Sequence, residues 1–182
     1  MPEAAEGRSR GLAGVHAPER EGRQLALPAV FEAEFGQRTA HAVLERRIEE
    51  GDVGERAAAH ARRIVSGVVT YRDSIDARIE AVAPAYPVVQ LARIDRALLR
   101  CGMCELLHCP TTPARVAISE WVELARTYSG EPTRRLMNGA LGRVAEGAAA
   151  TTEGTEPNVT STQGRESAAE TVTQAHTEGP AE

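Results

Sequence analysis

Thr112-Pro-Ala-Arg-Val-Ala-Ile-Ser-Glu-Trp-Val-Glu-Leu-Ala-Arg-Thr-Tyr128 is the stretch that decides the fold class. Within it Ala117, Trp121, Leu124 and Tyr128 recur at steps of three and four, which lines them along one side of an α-helix but would scatter them over both faces of a strand. Thr112 is placed to cap this helix, and Pro113 sits at the first helical position, where a missing N–H is harmless. Gly130 ends it.

The same period continues outward in both directions. Downstream, a last helix starts near Pro132 and carries Leu136, Ala140, Leu141 and Val144. Upstream, Leu91, Ile94, Leu98 and Cys101 form a stripe that runs on through Leu106, the pattern of a buried central helix. Pro84 and Pro87 separate it from a segment, Val53 to Val82, that reads as one long helix bearing Ile64, Val68, Tyr71, Ile75 and Ile79. Thr39 to Glu50 makes a shorter helix stopped by Gly51. Gln24 to Phe35 makes the first, with Pro28 expected to kink or shorten it.

No alternating, strand-like segment occurs, so the chain reads as all-α. Residues 1–20, rich in Gly, Ala, Pro and charge, are expected to be a flexible arm, 21–147 one helical domain, and 148–182 a disordered acidic tail. The formal charge of −5 belongs to the end of the chain. From Gly147 onward six Glu face one Arg, so the body is neutral and free to carry a basic patch. All 21 basic residues are Arg, the side chain best shaped to grip phosphate and to stack on bases. With no apolar run long enough to span a bilayer and no secretory signal, a cytoplasmic protein is expected.

Cys101, Cys104 and Cys109, with His108 among them, invite a zinc or redox reading. Their steps of three, seven and eight place the four along one helical face, where tetrahedral closure on one ion is hard, and no strand precedes the Cys-x-x-Cys pair. Core cysteines are therefore favoured over a metal or redox sensor. Ser119, Ser129, His41, His60 and His108 have no nucleophile spacing, and no Gly-rich phosphate loop appears, so neither an enzyme nor a cofactor is expected.

Arg134 and Arg135 stand out. They fall in the first turn of the last helix, where the dipole disfavours cations but free N–H groups attract anions. Tyr128, just before the turn, is placed to stack on a base. Arg20 and Arg23 flank the start of the first helix among Glu19 and Glu21. Asp95 and Arg96 interrupt the central apolar stripe and are candidates for a partner surface.

Four blocks, Ile94-Asp-Arg-Ala-Leu-Leu-Arg100, Glu105-Leu-Leu, Thr112 to Ala125 and Met137-Asn-Gly139, together resemble the antitermination factor family NusB. Val65-Ser-Gly67-Val68 and Arg23-x-x-Ala26 extend the likeness, so it covers about Arg23 to Ala145. The resemblance implies a seven-helix bundle of two small subdomains and a role outside enzymology. It implies pairing with the small-subunit ribosomal protein NusE to bind boxA single-stranded RNA. The pair would act within the RNA polymerase antitermination complex, chiefly in ribosomal RNA synthesis. It also implies that Arg20, Arg23, Tyr128, Arg134 and Arg135 hold RNA, and it leaves open a protein-docking module that grips RNA weakly. Cys101 and Cys104 stand where the family usually has aliphatic or aromatic residues.

Overall fold

A computed structural model of the chain describes residues 17–153, with side chains described as far as Ala148. Within these bounds lie seven α-helices: α1 (Ala17–Ala33), α2 (Ala40–Glu50), α3 (Glu55–Thr70), α4 (Arg72–Val82), α5 (Arg93–His108), α6 (Ala114–Tyr128) and α7 (Glu131–Glu153). A single 3₁₀ turn, Val88–Gln90, links α4 to α5. There is no strand among the described residues. The expected flexible arm and acidic tail lie almost wholly outside them.

α5 is the organising element. Every residue from Ala97 to Glu105 is buried, as expected of a helix enclosed on all sides. It packs on α1 and α3 of the first group of helices and on α4, α6 and α7 of the second. The contact between α1 and α3 is the most extensive in the fold. It is close because Gly22 has no side chain: a Cβ there would stand 2.8 Å from the Ala57 carbonyl oxygen. Gly67 does the same where α3 meets α5, since a Cβ at that position would collide with Cys104 Sγ.

Three details depart from the sequence expectations. α1 is already helical at Ala17 and passes through Pro28 without stopping, because Ala26, Leu27, Ala29 and Val30 are buried on both sides of the proline and tertiary packing outweighs one lost hydrogen bond. The segment Val53 to Val82 is two helices, broken at Tyr71, whose ψ of 19° redirects the chain. The break is held by Ser74 Oγ donating to the Tyr71 carbonyl at 2.9 Å and by the Tyr71 ring stacked on His108 at 3.9 Å. Finally, Pro113 rather than Thr112 is the N-cap of α6, with no side-chain bond. By contrast, Thr39 caps α2 as expected, accepting from the Ala42 N–H at 3.2 Å.

The three cysteines lie in the core. Cys104 Sγ donates to the Ile64 carbonyl at 3.4 Å. A hydrogen bond with Cys109 and then burial push the Cys104 thiol up, and burial pushes up Cys101, so both are held away from the thiolate that metals and disulfide exchange require.

Candidate nucleic-acid interface

The α6–α7 turn is built by one glycine and one carboxylate. Gly130 takes φ +103°, a conformation that L side chains rarely adopt, and donates its N–H to the Ala125 carbonyl at 3.0 Å. The chain thereby reverses within two residues. Asp95, in the first turn of α5, accepts from Thr133 Oγ1 at 3.0 Å and from Ser129 Oγ, which pins both sides of the turn to the central helix. Pro132 lies in the first turn of α7, where its missing N–H leaves no bond unmade.

On this fixed turn Tyr128 is half exposed. Arg135 projects with 75% of its side chain exposed and Arg134 with 34%. Both hold Glu131: Arg134 by a fork at 2.6 and 2.7 Å, Arg135 through Nε at 3.0 Å. Hydrogen bonds from the two arginines keep the Glu131 carboxyl at about 2. An acid at the helix start and two cations three and four positions on resolve the dipole conflict locally. The spacing of Glu131 from the arginines was the signal in the sequence for this pairing.

Arg20 also lies at the surface, 60% exposed, and forks onto Glu120 of α6 at 2.8 and 2.6 Å. It therefore meets α6 two turns ahead of Tyr128. Arg23 does not join it. Its side chain is 0% exposed and forks onto the equally buried Glu105 at 2.8 and 2.6 Å, so it cannot reach RNA. The reason is helical phase: Arg23, Ala26, Leu27 and Val30 share the face that α1 turns to the core. Around Glu105 also stand Trp121, donating Nε1–H at 2.6 Å, and His60, with Nε2 3.1 Å from Oε1. Burial pushes the Glu105 carboxyl up, but His60 and Arg23 outweigh it and hold the group at about 2.

Asp95 and Arg96, expected at a partner surface, both have uses within the chain. Asp95 holds the turn as described. Arg96, 16% exposed, binds Glu34 at 2.8 Å and reaches the Val88 carbonyl at 3.4 Å.

The model of the NusB family matches residues 20–146, most of the chain. The chain belongs to the NusB family. A transcription antitermination protein NusB from Dehalococcoides mccartyi is 36% identical over 132 residues, which is 72% of this chain and 92% of the relative. One from Heliobacterium modesticaldum is 36% identical over 126 residues, 69% of this chain and 61% of the relative. Among solved structures, NusB from T. maritima superposes with a TM-score of 0.66 at 30% identity, covering 71% of this chain and 92% of that one. A NusB crystallised with NusE and double-stranded RNA superposes with a TM-score of 0.65, covering 71% and 97%; at 20% identity that likeness speaks for the fold. The chain is thus an antitermination protein of the NusB type. No helix among its described residues is long and apolar enough to cross a membrane.

Proposed function

We propose that this chain acts in the cytoplasm as an antitermination factor, binding boxA-type single-stranded RNA together with the ribosomal protein NusE. In this reading the complex supports read-through by RNA polymerase, chiefly in ribosomal RNA synthesis. The observation that carries the reading is the surface trio Tyr128, Arg135 and the partly exposed Arg134 on a turn fastened by Asp95. Arg20 adds a further guanidinium at the α1–α6 seam. On binding, the arginines exchange Glu131 for phosphate oxygens, which spread charge over the same bidentate geometry, and Tyr128 stacks on a base. The NusB–NusE–RNA assembly of the structural neighbour supports this choice of partners.

Titration of fluorescent boxA RNA with the chain and NusE, at several salt concentrations, tests the proposal. Arg134→Ala with Arg135→Ala is expected to weaken binding and to flatten the salt dependence by about one to two, one for each phosphate that is no longer held. An unchanged slope removes both from the interface. RNA binding lost altogether in the parent protein, with NusE still captured, would leave a protein-docking module instead.

Glu131 supplies a second test. Glu131→Gln removes the carboxylate that competes with phosphate for both arginines, so RNA should bind more tightly, with the gain largest at low salt. Weaker binding by this variant would mean that Glu131 orients the arginines rather than competing for them.

A further inference from the structure

Beyond the turn, α7 carries groups that the proposed RNA contacts leave unused, and Arg135 joins the two sets. Arg135, Gly139 and Arg143 recur every four residues and so share a face, the two arginines set about 12 Å apart along the helix. They border a cavity of about 520 Å³ that is also lined by Tyr86, in the loop after α4. Tyr86 is 50% exposed although it is large and aromatic. It is fixed in place by its N–H donating to the Ala83 carbonyl at 2.9 Å and by Pro87 following it.

The chemistry of this cavity is specific. Arg143 is exposed and has no carboxylate partner among the described residues. Its Nη2 lies back along the helix beside Gly139, 3.7 Å from where a Cβ of that residue would stand. Arg135 engages its one acid, Glu131, through Nε. That leaves its terminal nitrogens for another anion. Leu136 and Pro132 complete the apolar part of the lining, and Glu131 is its single carboxylate. An aromatic ring and two guanidiniums lining one cavity suit a base with its flanking phosphates. An apolar peptide would find little to bury here, and an acidic one would leave Tyr86 without a stacking partner.

We propose that this cavity is a further nucleotide subsite, which takes a base on Tyr86 and its flanking phosphates on Arg135 and Arg143, extending the RNA path along α7. The inference rests on the RNA reading of the α6–α7 turn. It adds a place where strand length outside the core element contributes to affinity.

The full chain with NusE is titrated with boxA RNA and with the same RNA lengthened by a few nucleotides at one end or the other. One extension should tighten binding about tenfold, the size of a single base stacked on an aromatic ring. Tyr86→Ala with Arg143→Ala should erase that gain and leave the shorter RNA bound as before. A 5-iodouridine in the extension should photocrosslink to Tyr86. The subsite is overturned if neither extension tightens binding, if the variant keeps the gain, if it weakens both lengths equally, or if it loses NusE instead. Failure of both RNAs to bind the parent protein overturns the RNA reading itself, and the subsite with it.

Discussion

Glu105→Gln is expected to lower the unfolding free energy by about 3–5 kcal/mol, because it strips the counter-ion from a guanidinium that has no access to water. The Arg23 side chain is 0% exposed, and its Nη1 already lacks a hydrogen-bond partner. Glutamine keeps the volume and one acceptor, so packing changes little. The loss therefore reports a buried charge left with only Glu120, 3.8 Å from its Nη1. Replacing both partners with apolar residues of similar size, Arg23→Met with Glu105→Leu, should recover only part of it, because the Trp121 Nε1–H and His60 would then lose the carboxylate that they share with Arg23. Urea denaturation of the two single variants and the double variant makes the measurement. If the double variant is as unstable as the sum of the singles, the pair does not act as a unit.

The same pair sets an acid limit. The folded carboxyl of Glu105 sits at about 2, below its unfolded value, so the folded state holds its proton less tightly than the unfolded chain. Its stabilisation is complete above the ordinary carboxylate range and is lost as pH falls towards about 2. Glu105→Gln should flatten this part of the stability–pH curve. An identical acid profile in the variant would assign the loss to other carboxylates.

Arg100→Met should cost about 3 kcal/mol, the low end for breaking a buried ion pair. The Arg100 side chain is 4% exposed and forks onto Asp76 of α4 with both hydrogen bonds at 2.7 Å. It also binds Glu34, just past the end of α1. The low end applies because Asp76 is 25% exposed and Glu34 keeps Arg96 at 2.8 Å. Thermal unfolding together with amide exchange in α4 would show the loss and where it falls. A change below about 1 kcal/mol would mean that the cluster behaves like a solvent-screened surface pair.

Much of the bundle was legible because it follows from periodicity. Trp121 and its line predict α6, Thr39 and Gly51 bracket α2, and the stripe from Leu91 marks the central helix; the structure has each of them there. The break at Tyr71 was not legible, since a helix can bend through one residue while its apolar spacing continues on both sides. Arg23 was misread for a different reason. An arginine near a chain end is usually solvated, and its partner Glu105 is 82 positions away. The apolar residues three, four and seven positions on were the available warning. Arg134 and Arg135 were singled out from helix-end electrostatics and Tyr128 as a stacking residue, and all three lie at the surface, whereas Asp95 was singled out as a docking residue although it fastens the turn they stand on. Gly67 shows a further limit: its spacing says nothing, and its reason is a sulfur atom 37 positions on.

Because α5 touches helices of both groups, neither can lose its packing while the other keeps it intact. Heating should therefore melt the molecule in one cooperative step, with calorimetric and van't Hoff enthalpies in agreement, rather than in two steps that report the halves separately.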